Sequence, residues 1–458
     1  MTVTPVPRLV WHLAVPTIVS MLVSSLYNMA DTFFVSQLGT SAAGAVGIVF
    51  SLMAVIQAVG FTLGMGAGNT VARQLGAKQR EAATETASSG FFAALGFGAV
   101  LLVLGSVFRT PLMRLLGATD TILPYAADYA QYILLAAPLM AASFVMNNLL
   151  RGEGRAALAM VGITAGGVLN MGLDPLFIFT FKLGIAGAAI ATALSQGVSF
   201  CILLSFFLRG KSDVRLRISC VARRWKVYRR ILTTGMPSLC RQGLASIATM
   251  LLNVQAAFYG DAAVAAMSIV GRFFLLLFSV MLGFGQGFQP VAGFNWGAGR
   301  YGRVREATAY TVKVGTLLML GAAVLGYVFA PQVMTAFRRD DPAVIALGTL
   351  AFRAQCFALP LFGLSTGTNM ALQCTGHSGP ATFLALCRQG LYFLPLILVL
   401  PQLCGVLGVQ LAQPIADGLS FCTSLPFFFR FLAELSRREK EAAGAPREPA
   451  QNSMQEDL

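Results

Sequence analysis

Apolar runs follow one another along almost the whole chain, separated by short clusters of glycine, proline and charge. Each is at least as long as the ~20 residues an α-helix needs to cross a hydrocarbon core. Read between their breakers, they predict twelve helices. Six lie over residues 9–36, 45–70, 84–107, 123–148, 157–180 and 184–208, and six over 229–258, 263–293, 307–330, 344–372, 380–401 and 406–432. From about residue 436 the pattern ends in a polar stretch, "SRREKEAAGAPREPAQNSMQEDL", too poor in apolar residues to build a core and expected to be disordered.

Composition turns these helices into membrane spans. Only 11% of the 458 residues are charged, against roughly 25% in a soluble domain. The net charge of +14 does not point to nucleic acid, because its distribution is that of a membrane protein. Nine of the 33 basic residues fall in 208–230, and others cluster at 73–80, 151–155, 300–305 and the tail. The alternate loops hold only Arg109, Arg114, Lys182, Arg338 and Arg339. Lys and Arg concentrate on the cytoplasmic side, so both termini are expected there. The first apolar run lacks a clear small-residue cleavage site and is read as a retained span. The eight cysteines occur singly without metal spacing, and His12 and His377 lie near span ends.

The two sets of six repeat. A shift of 221 residues brings Pro16 onto Pro237, Gly39 onto Gly260, and Ala42 and Ala45 onto Ala263 and Ala266. Close to that offset "LGMGAG" (63–68) meets "LGFGQG" (282–287), Gly154 meets Gly376, and Gly184 and Gly187 meet Gly405 and Gly408. Six spans per copy give parallel topology about an axis roughly normal to the membrane, with a cleft between the copies. The expected fold is therefore an all-α polytopic membrane protein, with twelve transmembrane helices in two six-helix bundles related by pseudo-twofold symmetry. An N-terminal bundle (1–210), a basic loop (211–228), a C-terminal bundle (229–435) and a tail (436–458) would make up the chain.

Charges deep in such helices are rare and usually functional. Three acids qualify: Asp31, Asp174 and Asp417. Asp31 has Tyr27 and Asn28 on its helical face, and Asp174 has Asn170 one turn earlier. Pro175 removes a backbone donor beside Asp174, and a freed carbonyl within a membrane must be satisfied or line a wet cavity. Several oxygens at one place suit a proton or a small hard cation such as sodium at Asp31 and Asp174. The other reading is a helix-end cap for Asp174 and a structural pair for Asp31. No basic residue inside the first six predicted spans is available for such a pair. In the second half Asp417 stands among Arg241, Arg272, Arg353 and Arg388, and a structural ion pair with Arg388 is expected. The glycine-rich runs lack a Walker lysine and read as helix-packing faces. The chain holds no ATP module and no clustered nucleophile arrangement, which speaks against an enzyme.

A first helix with proline and Asp31 fifteen residues apart, followed by "VSQLGTSAAGAVGI", "GAGNTVARQLGAKQREAA", "NNLLRGEGR" and "LNMGLDPLFIF", resembles the multidrug and toxic compound extrusion (MATE) family. The resemblance covers about residues 8–432. It implies two six-helix bundles forming a V, and export of small organic cations or amphipathic compounds in exchange for protons or sodium, with no cofactor. It also implies an ion-coupling cluster in the N-terminal bundle: Asp31, Asn170, Asp174, Thr192, and either Asn147 or Asn148. One branch of the family carries further acids in the second bundle. This chain has only Asn253 and Asn369 there, which shifts the weight to the first. The expected setting, from the short loops and the lack of extra domains, is a monomer in the lipid bilayer of a bacterial inner membrane. The alternative is a flippase or exporter of a lipid-linked or specific metabolite, which the arginines of the second half keep open.

Overall fold

The computed structural model describes residues 1–337 and 341–444. Fourteen α-helices run through them. In the first half these are α1 (Val6–Ser36), α2 (Thr40–Gly76), α3 (Arg80–Val107), the short α4 (Arg109–Leu115), α5 (Leu123–Gly152), α6 (Ala156–Pro175) and α7 (Gly184–Leu208). The second half has α8 (Trp225–Ala257), α9 (Asp261–Gly297), α10 (Tyr301–Phe337), α11 (Pro342–Thr375), α12 (Ser378–Leu386), α13 (Leu394–Cys404) and α14 (Val406–Gly444). The helix of α6 continues as a π turn over Leu176–Thr180, and a second π turn, Cys387–Phe393, joins α12 to α13. With α12 and α13 counted as one rod and the short α4 set aside, twelve long rods remain, six per half, as the apolar runs predict.

Eleven of these rods are apolar enough to span a bilayer by composition alone. The twelfth is α8, long enough but diluted by Arg229, Arg230, Arg241 and Gln242. Large apolar side chains lie exposed on the flanks, among them Val100, Val103 and Val107 of α3 and Leu317, Val324 and Val328 of α10. That is the outside of a protein whose solvent is lipid.

The repeat is visible in the backbone. Gly39 and Gly260, aligned by the 221-residue shift, have φ of +114° and +94° and start α2 and α9. Gly154 and Gly376, at +81° and +94°, turn the chain between successive helices in each half. These backbone angles suit glycine because an L side chain would be strained. Pro16 and Pro237 sit inside α1 and α8. Even a side-chain contact repeats: Asn147 Nδ2 donates to the Ala159 carbonyl at 2.9 Å, and Asn369 Nδ2 to that of Ala381 at 2.6 Å.

The two halves meet by backbone-to-backbone packing. A Cβ on Gly76 would overlap the carbonyl of Phe294, and one on Gly297 would overlap that of Arg73. The two contacts are twofold mates, so the symmetry axis passes between the ends of α2 and α9. Gly66 packs on the Ile231 carbonyl and Gly235 on that of Thr62, while Gly283 and Gly287 of α9 pack on Ile18 and Ala14 of α1. All of these lie toward the end that carries the chain termini and the basic loops. Among the described residues, the side-chain hydrogen bond between halves furthest from that end joins Ser25 to Ser279, at 3.2 Å. Beyond it Leu26, Met29 and Phe33 of α1 are exposed. The halves are closed at the terminal end and part toward the other.

Several expectations need correction. Most helices overrun their predicted ends on the terminal side, where polar turns emerge from the apolar zone. The basic loop is shorter than 211–228, because α8 begins at Trp225. It is docked on α3, where Ser88 and Ser89 bond its backbone at Arg215, Arg217 and Ala222. The stretch from 436 is not disordered at its start. There α14 runs on to Gly444, held by Arg305–Glu439 (3.2 Å) and His377–Glu434 (3.3 Å) contacts. The rest of the expected tail (445–458) lies outside the described residues, as do Arg338 and Arg339. Finally, Arg73 and Arg151 belong to α2 and α5, so the first six helices do contain basic residues, at their terminal-side ends.

Candidate functional site

The N-terminal half carries a polar cluster inside its own bundle, toward the open end. Asn170 and Asp174 lie one turn apart on α6, and the Asn170 amide donates to Asp174 Oδ1 at 3.3 Å. The same amide nitrogen stands 3.3 Å from Thr192 Oγ1 on α7. Asp31 comes from α1, and Tyr129 of α5 donates its hydroxyl to Asp31 Oδ2 at 3.4 Å. Asp174 and Tyr129 are fully buried, and Asn170 and Thr192 nearly so. The two carboxylates lie within each other's electrostatic reach.

What these groups lack matters most. Asp31 Oδ1, Asp174 Oδ2 and Asn170 Oδ1 are buried without a hydrogen-bond partner, and so is Ser195 Oγ one turn beyond Thr192. Among the described residues no cation pairs with either carboxylate. A buried ion without partners costs several kcal/mol. The site therefore favours a proton on a carboxyl, or a small cation held by these oxygens. Just past Asp174, Pro175 ends the regular helix and the π turn follows, with Gly187 of α7 packed against the Phe177 carbonyl.

Of the expected residues, Asn170, Asp174 and Thr192 thus meet directly, and Asp31 joins them through Tyr129. Asn147 and Asn148 do not join them. Asn147 is bound to the Ala159 carbonyl, the contact its repeat mate Asn369 also makes, and Asn148 bonds Phe144 of its own helix at 2.8 Å. Both sit near the terminal end of α5, while the cluster lies near its start. The α5 contribution is instead Tyr129, which neither the polar pattern nor the family resemblance singles out. Its signal was available, because a tyrosine on a buried face needs a polar partner.

In the second half, Arg388 Nε meets Asp417 Oδ1 at 2.7 Å. Gln355 and Gln413 also donate to Asp417, at 2.8 and 2.9 Å. The Arg388 guanidinium lies against both Phe278 and Phe362, 4.9 and 4.6 Å from their ring centres. This acid is saturated, in contrast to those of the first half. Among the described residues Arg241 bonds only Asn369 and Ser238.

The MatE family profile matches residues 16–176 and 237–398, one stretch in each half. The chain belongs to the MatE family. It is similar to the multidrug export protein MepA of Staphylococcus saprophyticus, 27% identical over 410 residues that cover 89% of this chain and 90% of that protein. MepA of Staphylococcus aureus strain MRSA252 is 25% identical, covering 91% and 92%. Among solved structures, a MATE transporter in complex with MaL6 superposes with a TM-score of 0.89 at 27% identity, over 95% of this chain and 98% of that one. An outward-facing multidrug resistance MATE transporter gives 0.89 at 26%, over 95% and 97%. A Pyrococcus furiosus transporter, described as having reverse polarity of its binding pocket, gives 0.87 at 27%, over 95% and 97%. Membership in the MATE family makes this chain a multi-pass membrane transporter and not an enzyme.

Proposed function

We propose that this MATE protein exports cationic or amphipathic compounds across the cytoplasmic membrane in exchange for protons or sodium, by alternating access. One observation carries the reading: Asp31 and Asp174 are two carboxylates held inside the N-terminal bundle with oxygens left free and, among the described residues, no cation against them. In the open state the ion enters from the cleft side and neutralises one carboxylate of the pair, with Asn170, Thr192 and Tyr129 as neighbouring ligands or donors. Neutralisation removes the repulsion between the acids and lets α1 close on α5 and α6. Substrate is displaced by that closure. The reverse movement delivers the ion to the other side. The relatives described as multidrug export proteins support the substrate class, and the outward-facing relative supports the state.

A second reading, export of an anionic or lipid-linked compound, is favoured by Arg241, a half-buried cation of the second half without an acid partner among the described residues. A vesicle assay separates the two. Protein reconstituted in liposomes loaded with a fluorescent organic cation is expected to release it when an inward proton or sodium gradient is imposed. Asp31→Asn and Asp174→Asn are each expected to slow gradient-driven release tenfold or more. Unchanged release in both variants defeats the coupling assignment, and release of an anionic probe alone favours the second reading.

A further inference from the structure

The segment between α7 and α8 is a two-faced strap on the N-terminal bundle. Val214 and Ala222 are buried and Leu216 packs inward, while Arg215, Arg217, Arg223 and Arg224 are exposed. At Arg217 the backbone is extended (φ −133°, ψ 137°), a conformation that sends successive side chains to opposite faces. Two anchors fix the strap. On α3, Ser88 Oγ donates to the Arg215 carbonyl at 3.0 Å and accepts from the Arg217 amide at 3.2 Å. Ser89 Oγ accepts from the Ala222 amide at 2.8 Å. Just past α5, the buried Glu153 carboxylate accepts from Ser212 Oγ at 2.7 Å and from the Asp213 amide at 2.9 Å.

Asp213 is the only acid from residue 209 to residue 230, and Arg155 holds it at 3.1 Å. The nine basic side chains of that stretch are all exposed, and none forms an ion pair among the described residues. Large apolar side chains are exposed along the same stretch of chain: Leu208 at the end of α7 (76%), Ile218 (78%) and Trp225 at the start of α8 (69%).

Depth decides what this surface meets. Past Ser89, α3 is free of charge over residues 91–107, a run of about 25 Å. A hydrocarbon core is about 30 Å thick. Ser88 and Ser89, and with them the bonded backbone from Arg215 to Ala222, therefore lie within about 5 Å of its edge. That is the level of the lipid headgroups. A soluble polyanion would use the charge and leave Leu208 and Ile218 in water. A bilayer surface with anionic headgroups uses both.

We propose that the strap is a docking surface for anionic phospholipids of the leaflet on the terminal side. Arg215, Arg217 and Arg223 take headgroup phosphates, and Ile218 enters between the lipids. The strap is the covalent joint between the halves, so bound lipid holds that joint at the membrane surface.

The test counts lipids retained by the purified full-length protein in native mass spectrometry, after titration with short-chain phosphatidylglycerol or phosphatidylcholine. Phosphatidylglycerol is expected to be retained in preference. The triple change Arg215→Gln, Arg217→Gln and Arg223→Gln is expected to weaken that retention tenfold or more. Arg80→Gln, Arg300→Gln and Lys440→Gln together remove the same charge from exposed positions outside the strap and are expected to weaken it less than threefold. Arg217→Gln alone, expected to cost about threefold, serves if the triple variant does not fold. Equal retention of the two lipids overturns the proposal, and so do equal losses in the strap and control variants, the charge being then diffuse. Displacement of the lipid by inorganic phosphate at equal concentration also overturns it, since the strap would then bind a soluble anion. So does retention that arises only after Glu448→Gln, Glu456→Gln and Asp457→Asn, which would make the C-terminal stretch the occupant.

Discussion

Asp417 and Asp174 show how one residue type takes two roles by what surrounds it. Asp417 has a 2% exposed side chain and receives Arg388, Gln355 and Gln413. Among the described residues Asp174 receives Asn170 alone and keeps Oδ2 free. The first is a structural acid. Removing its charge leaves Arg388 buried without a counter-ion, which costs about 3–5 kcal/mol for a buried pair broken on one side. Asp417→Asn is therefore expected to lower the unfolding midpoint and the yield of folded protein more than the double change Arg388→Gln with Asp417→Asn. Simply additive losses would mean that the pair is not coupled. Both acids, and the Asn170–Asp174 spacing, are legible in the sequence because a polar residue in an apolar helix is conspicuous and i, i+4 neighbours share a face. Tyr129 and the Asn147 contact are not legible that way. Each depends on which helix lies opposite, and the resemblance to the family offered two adjacent asparagines where the fold uses a tyrosine. The aligned Asn147 and Asn369 point to the scaffold, since a residue kept in both copies serves the shared scaffold sooner than a site present in one.

At the scale of helices, the contact between halves rests on missing side chains. Gly76 and Gly297 bring α2 and α9 so close that a methyl group would overlap the facing carbonyl. Close approach lets backbones pack where no hydrophobic effect drives helices together in lipid. Gly297→Ala must push the helices apart, and overpacking of this kind costs about 1–3 kcal/mol. Gly321 of α10 is a fair control, because a Cβ there meets nothing within 4 Å. Alanine at 321 is expected to be neutral or to stabilise by up to ~1 kcal/mol, since glycine in a helix interior is unfavourable. Thermal unfolding of the two variants checks this, and equal midpoints would remove the packing argument. The apolar runs place these helices well, and the glycine repeats mark their faces. Helix ends are less legible, because a helix that emerges into water changes composition without changing conformation, as α14 does past residue 436. The π turns are hidden as well. Pro175 announces the first, but no proline stands at the start of the second, in "CRQGLYF".

Over the whole molecule, charge and shape have to agree on a direction. The halves are shut at the end bearing the termini, Arg73 and Arg151 included, and open at the end bearing Gly117, Lys182 and Tyr259. Basic residues crowd the first end: the segment 208–230, Arg300, Arg303 and Arg305. If Lys and Arg mark the cytoplasmic side, the structure is the outward-open state of an exporter, with the Asp31–Asp174 cluster nearer the outside than the closed gate. An importer orientation would place the same free carboxylates toward the cytoplasm and reverse the sense of the ion gradient that loads them. Reporter fusions decide between the two. A fluorescent protein joined at the C-terminus is expected to fluoresce, as it does only in the cytoplasm, while alkaline phosphatase joined after Gly117 or after Tyr259 is expected to be active, as it is only outside. Active phosphatase at residue 212 and a dark C-terminal fusion would invert the molecule. The carboxylates would then load from the cytoplasm, and ion-driven export from the state described here would no longer follow.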